Sequence, residues 1–499
     1  MQKNIILILI LIISTPNLLI SQNKALKLQN HILNESLNKL KADKDFKNAL
    51  ISFYAIDTKT NEIIAENNSD LTVMPASTQK LFSTSAALEI IGKNYRFTTS
   101  LQYSGKIDVS SKVLTGNIYI KGGGDPTLGS KYFNKNNINK FIDEWINAIK
   151  KLGIKSINGR IIGDASIYST DISVGKWAWE DVGNYYAAGA NGLSVFDNLY
   201  EIHLQSPKNP NLATKIINIE PQIPNIEIIN EVLSSNIRSD EAFIFGAPYR
   251  NLHIIRGTIP KAKNDFVIKG SIPDPAYYIA WLLQQKLDSL GIKCTKSAST
   301  IRLKLLEGDT IKSFRKTIHI HYSNSLSEII NITNKKSINL FAEHLLNHIG
   351  FISLKEGSNN SGQKALSDFW KAKGMDTDGL YLYDGSGLSR FNGITAKQMV
   401  FVLNYMKNKS NNFETFYSTL PVAGISGTLK SNGKSTSAEN NVHAKSGSIG
   451  RVRAYAGYVT TKSGRELAFS MNISNYNCSS SEARNKLTEL MIAMADFNL

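Results

Sequence analysis

The stretch Pro75-Ala76-Ser77-Thr78-Gln79-Lys80-Leu81-Phe82 decides how this chain is read. The proline opens a helical run reaching Leu88, with Ser77 in its first turn and Lys80 one turn later. Residues three apart share a helix face, so the hydroxyl and the amine point the same way. A helix start favours developing negative charge, and Leu81, Phe82, Ala86, Ala87 and Leu88 draw Lys80 toward burial. Burial disfavours an ammonium, which makes Lys80 a candidate base for an activated serine. The Ser-x-x-Lys spacing alone is a weak signal: Ser36/Lys39, Ser361/Lys364 and Ser431/Lys434 share it without this setting.

Two later fragments complete a constellation. Ser337-Ile338-Asn339 precedes the apolar run Leu340-Phe341-Ala342-Glu343-His344-Leu345-Leu346. Its hydroxyl can relay a proton and its amide can hold a peptide group, although both residues also make good helix caps. Lys445-Ser446-Gly447 precedes a strand hairpin. Lys445 would bring positive field, Ser446 and Ser448 would offer hydroxyls or backbone N–H groups to an anion, and Gly447 would let backbone approach closely. A solvated edge-strand lysine is the plainer alternative. In this order the fragments supply a nucleophile, an amine base, a second hydroxyl with an amide, and a second amine. That is an acyl-transfer site assembled without histidine or aspartate.

The flanking pattern places these pieces. Leu50–Ile56 alternates as a strand, Asp57–Asn61 is a turn cluster, and Glu62–Ala65 returns as a hairpin. Near the other end Val442–Ser446, Val452–Thr460 and Glu466–Ile473 read as strands, and Ser480–Phe497 as an amphipathic helix. Strands and helices from both chain ends therefore build one mixed domain, residues 22–94 and 276–499, with the middle inserted. The insertion spans 95–275. It divides into 95–198, which carries short β-like runs at Val113–Ile120 and Arg160–Gly163, and a nested β-rich unit, 199–275. Pro275–Leu290 reads as the return to helix.

Bulk properties narrow the field. A chain of 499 residues suggests two to three domains, and 42% hydrophobic with 20% charged residues is an ordinary globular balance. The net charge of +16 is spread rather than clustered with aromatics, which argues against nucleic acid as a partner and for a generally basic exterior that leaves peripheral membrane association open. Residues 1–21 read as a signal peptide, with an uncleaved anchor as the alternative: Lys3, then the apolar run Ile5–Ile13, too short to span a bilayer comfortably. The mature protein is expected in the periplasm or otherwise outside the cytoplasm. Cys294 and Cys478 are the only cysteines, and spacing leaves their pairing open. His344 and His348 lie four apart, but Glu343 precedes them in the wrong order for a zinc hydrolase; no metal and no cofactor are expected.

These fragments together resemble class C low-molecular-mass penicillin-binding proteins, the serine D-alanyl-D-alanine carboxypeptidase/endopeptidase type. The order of the trio, the nucleophile segment Pro75–Lys80, the long gap from Ser77 to Ser337, and Gly122-Gly123-Gly124-Asp125-Pro126-Thr127-Leu128 carry the resemblance. So do Trp177-Ala178-Trp179-Glu180-Asp181 with Tyr185, Tyr383-Asp384-Gly385-Ser386-Gly387-Leu388-Ser389, and Gly427-Thr428-Leu429. The likeness covers nearly all of the mature chain.

The resemblance implies an α/β, mixed α+β fold: a penicillin-binding/β-lactamase-like domain, antiparallel sheet flanked by helices, with nested β-rich insertions. It implies peptidoglycan stem peptides as substrates and β-lactams as covalent inhibitors. Ser77 would be acylated, Lys80 would be its base, Ser337 would shuttle the proton, Asn339 would bind substrate backbone, and Lys445 would assist electrostatically. The N–H groups of Ser448 and Ser77 would form the oxyanion hole, and Glu180, Asp181 and Tyr185 would flank the cleft. Ser446 stands where the commoner motif has threonine. Arg451 and Arg453 stand where the family usually has smaller residues, which bears on how a substrate carboxylate would be handled. The rival readings are a non-catalytic peptidoglycan-binding relative and a serine β-lactamase or esterase, although no deacylating glutamate motif is evident.

Overall fold

The computed structural model describes residues 33–133, 137–311 and 314–498; the expected signal peptide, 1–21, lies outside them. The two chain ends meet in one antiparallel five-stranded sheet, ordered His443–Ile449, Val452–Thr460, Glu466–Ser474, Leu50–Asp57, Ile63–Asn67. Strand alternation sends successive side chains to opposite faces. Ile56, Ala456, Tyr458 and Ala468 pack under the helices Lys80–Ile90, Asn339–Leu354 and Ala396–Lys409. Phe53, Tyr455, Phe469 and Met471 pack on the other face, under the C-terminal helix Ser480–Ala495 and the helix over 33–42. Both faces are covered, so the sheet strands are apolar nearly throughout, and the helix Lys80–Ile90 is buried for most of its length.

The inserted part builds around a second five-stranded sheet: Ser299–Thr300, Ile161–Asp164, Ile118–Gly122, Arg96–Tyr103, Lys316–Ser325. The run Val113–Ile120 is two strands rather than one, Val113–Thr115 and Ile118–Gly122, in different sheets. Between Leu199 and Ser271 lie two three-stranded sheets, one of which is edged by the short strand Phe243–Phe245. The expected border at 275/276 does not follow the packing. Helix Pro275–Ser289 buries Tyr278, Ile279, Leu283 and Leu287 in the insertion's core, and Lys316–Ser325 pairs with Arg96–Tyr103. The chain rejoins the core of the domain built from the two chain ends at Leu326. Periodicity shows which face of the helix Pro275–Ser289 is buried, but not which body buries it.

The insertion is fastened to the helix that carries Asn339. His344 contacts the Gly124 carbonyl and Ser194 Oγ, both at 2.9 Å, and His348 contacts Tyr95 Oη at 3.0 Å and Tyr168 Oη at 3.3 Å. Burial pushes the pKa of His344 down to about 3 and that of His348 to about 4, so both rings are neutral hydrogen-bonding spacers. Cys294 and Cys478 are unbonded. Among the described residues no helix is long and apolar enough to cross a membrane.

Candidate active site

Ser77 stands in a tight turn, Ala76–Gln79, that runs directly into the helix Lys80–Ile90. Lys80 Nζ lies 2.8 Å from Ser77 Oγ, 2.6 Å from Asn339 Oδ1 and 2.8 Å from the Ser386 carbonyl. Lys80 is fully buried, and that desolvation lowers its pKa to about 7 against the opposing pull of the Asp384 and Glu343 carboxyls. An amine with this pKa is partly deprotonated at neutrality and still basic enough to take a hydroxyl proton.

The floor beneath is acidic and closely bonded. Asp384, fully buried, accepts from Trp177 Nε1 at 2.9 Å and from the N–H groups of Gly387 at 2.7 Å and Ser389 at 2.6 Å. Glu343 accepts from Gly385 N–H at 2.9 Å. Burial first, then the neighbouring Asp384 charge, pushes Glu343 up to about 8, so it carries a proton at neutrality.

Ser337 caps the helix Leu326–Lys336 in a left-handed conformation, φ 60° and ψ 42°, and the helix Asn339–Leu354 starts two residues later. That corner turns the Ser337 hydroxyl to Lys445 Nζ, 2.9 Å away. Lys445 is fully buried, and burial followed by repulsion from Lys80 holds its pKa well below the ordinary lysine value. Its strand passes close to the nucleophile turn. A Cβ on Gly447 would lie 2.8 Å from the Pro75 carbonyl oxygen and 3.0 Å from Ser77 N, so a glycine is needed there.

Above these groups opens a cleft of about 410 Å³ lined by Ser77, Asn339, Ser448, Glu180, Asp181 and Tyr186, among others. Arg390 donates to Asp181 at 2.8 Å and to Glu180 at 3.0 Å, and Tyr186 Oη donates to Asp181 at 3.0 Å. Asn339 Nδ2 donates to the Tyr186 carbonyl at 2.7 Å, so the amide expected to hold substrate also ties Lys80 to the cleft wall.

The structure thus brings Ser77, Lys80 and Asn339 into one bonded group, with Ser337 and Lys445 as a second pair beside it. One expectation changes. Tyr185 is exposed, edge-on to Tyr186, and Tyr186 is the residue lining the cleft. In a 3-10 turn, here Tyr185–Ala187, neighbouring residues point about 120° apart, so only one tyrosine can face inward. Ser446 bonds Thr428 Oγ1 at 2.7 Å, and the guanidinium of Arg453 is held by Ser480, that of Arg451 by Asn477 at 3.5 Å. Sequence reasoning passed over Glu343, Asp384, Ser386 and Arg390 as site members. Glu343 had a signal, the only acid of a helix rich in apolar residues; the carboxylate of Asp384 had none that pointed to Lys80.

The chain is similar to known proteins along most of its length. The family model described as D-Ala-D-Ala carboxypeptidase 3 (S13) matches residues 33–496. The chain is 28% identical over 455 residues to the D-alanyl-D-alanine carboxypeptidase DacB of Haemophilus influenzae, covering 88% of each protein. It is 27% identical over 453 residues to the D-alanyl-D-alanine carboxypeptidase of Actinomadura sp., covering 88% of this chain and 80% of that one. The crystal structure of penicillin binding protein 4 from Haemophilus influenzae superposes with a TM-score of 0.79 at 26% identity, over 93% of this chain and 99% of that one. A complex of that protein with a β-lactam gives 0.73 at 25% identity, over 91% of this chain and 97% of that one. Site geometry, fold and similarity along nearly the whole length lead to one assignment: the chain belongs to the D-Ala-D-Ala carboxypeptidase 3 (S13) family.

Proposed function

We propose that this chain is a serine DD-peptidase that cleaves after D-alanine in peptidoglycan stem peptides, at D-Ala-D-Ala termini, at D-Ala cross-links or at both, through an acyl-enzyme on Ser77. The observation that carries the reading is the buried Lys80 amine, 2.8 Å from Ser77 Oγ with its pKa lowered to about 7.

Ser77 Oγ attacks the D-Ala carbonyl as Lys80 Nζ takes its proton. The N–H groups of Ser77 and Ser448 face the resulting oxyanion; the close passage of Gly447 over the nucleophile turn supports this placement. Ser337, its hydroxyl held by Lys445, gives its proton to the leaving amine and takes up the one Lys80 received; the C–N bond breaks, and water then hydrolyses the ester. Lowered pKa values on both lysines keep two amines buried side by side without the full repulsion of two ammonium groups. Asp181 and Glu180, half-neutralised by Arg390, present a polar wall suited to the amino end of a stem-peptide side chain.

β-Lactams should acylate the same serine, because their opened ring stays attached and blocks water. The apolar leader-like run Ile5–Ile13 supports export and action in the periplasm or otherwise outside the cytoplasm.

Labelled penicillin incubated with the purified protein tests the reading. Covalent label on Ser77, absent from Ser77→Ala, together with D-alanine release from a D-Ala-D-Ala peptide, supports it. Label that persists in Ser77→Ala overturns the nucleophile, and fast nitrocefin turnover without peptide cleavage would make the protein a β-lactamase instead.

A further inference from the structure

The cleft wall at Glu180 does not end at the cleft. Trp179, the preceding residue, is 65% exposed, and its ring lies 5.0 Å from that of Phe245, at the edge of the nested β-rich unit. Phe243, on the same short strand and 38% exposed, lines the catalytic cleft itself. The strand is held in place by backbone-level contacts. Ile244 N–H donates to Asn184 Oδ1 at 3.1 Å, and a Cβ on Gly183 would lie 2.0 Å from the Ile244 carbonyl oxygen. The aromatic surface is therefore a fixed ledge, continuous with the cleft, made jointly by the first inserted domain and the nested unit.

A lone exposed aromatic needs no partner, but a contiguous aromatic patch at the rim of a cleft marks a candidate binding surface. Given the peptidase reading above, on which this step rests, the occupant must come from the substrate that leaves the cleft at that edge. A stem peptide offers methyl groups, amides, carboxylates and the side-chain amino end that the Asp181 and Glu180 wall suits. None of these has a ring-sized apolar face, and its carboxylates would meet Glu180. The amino sugars of the glycan strand do have such a face, on the C–H side of the pyranose, with hydroxyls and acetamido groups at the rim for Glu180 to accept from. We propose that Trp179, with Phe245 behind it and Phe243 at the cleft edge, is a saccharide subsite that seats the glycan end of a peptidoglycan fragment while its peptide stem occupies the cleft. The nested unit then acts as a substrate-reading element, making the enzyme favour wall-attached stems over free peptides.

The test compares kcat/KM for a D-Ala-D-Ala pentapeptide carried on N-acetylglucosaminyl-N-acetylmuramic acid with that for the same peptide free. The native protein should prefer the sugar-linked form, and Trp179→Ala should cut that ratio by roughly threefold to tenfold. Trp179→Phe should keep most of it. A ratio unchanged in Trp179→Ala, or no preference in the native protein, overturns the proposal. Equal slowing of both substrates would assign the ledge to peptide and overturn it too. A titration of the free disaccharide by calorimetry, in Ser77→Ala with and without Trp179→Ala, reads the subsite without turnover. Heat that depends on Trp179 is expected, and none in either protein overturns the subsite. If no peptide is turned over at all, the peptidase reading fails while this titration still decides the ledge.

Discussion

Ser337 Oγ reaches Lys445 Nζ, 2.9 Å away, from a left-handed backbone with φ 60°. A non-glycine residue in that region costs about 1–2 kcal/mol, although helices commonly end this way, as Asn339–Leu354 does at Lys355. Replacing Ser337 by glycine removes the hydroxyl and the strain together. Ser337→Gly should leave the melting temperature unchanged or slightly raised, while peptide turnover falls by roughly 10²-fold or more. Ser337→Ala should lose as much activity with no gain in stability. Calorimetric melting beside peptidase assays checks both, and an active Ser337→Gly would remove the shuttle role.

Activity should follow the charge on Lys80. Its pKa is lowered to about 7, chiefly by burial, and only the neutral amine can act as base. The acylation rate should therefore rise with pH through about 7 and level off above it. Asp384 is the charge that holds Lys80 up most. Asp384→Asn should move the acid limb to lower pH even where it lowers overall rate. Glu343, the weaker of the two pulls on Lys80 and itself held up to about 8, is mostly protonated at neutrality, so Glu343→Gln should shift the limb less than Asp384→Asn does. Acylation by a chromogenic β-lactam across the pH range separates these outcomes.

Lys80→Arg keeps a cation that cannot give up its proton at any accessible pH. It should reduce acylation by roughly 10³-fold or more. Ser77→Ala should abolish covalent labelling entirely. Mass spectrometry of the intact protein after β-lactam treatment reads both variants.

Gly447→Ala would press a methyl against the Pro75 carbonyl and the Ser77 amide, both backbone atoms that cannot swing aside. The strand must move away from the nucleophile, at a cost of about 1–3 kcal/mol. A lowered melting temperature with acylation reduced by roughly 10²-fold is expected. A variant as stable and active as the native protein would show that this close approach is dispensable.

Much of the fold could be read locally. The hairpin of Leu50–Asp57 with Ile63–Asn67, the strand Val452–Thr460 and the helix Ser480–Ala495 follow from alternation and periodicity, because one buried face per element writes its own pattern. The return point of the insertion was not legible. Pro275–Ser289 and Lys316–Ser325 are ordinary helix and strand, and their partners are chosen by packing at long range.

The site divides in the same way. The sequence by itself determined the chemical inventory: Ser77 and Lys80 one helical turn apart, a second hydroxyl beside an amide, and a lysine on a strand next to a glycine. Tertiary structure alone decided that Asp384 and Glu343 lie under Lys80, that Tyr186 rather than Tyr185 faces the cleft, and that the distant strand Phe243–Phe245 edges it. Local spacing fixes which way neighbours along one element point. Burial and through-space charge, which set the proton affinity of Lys80, arise only when remote segments exclude water from the same point.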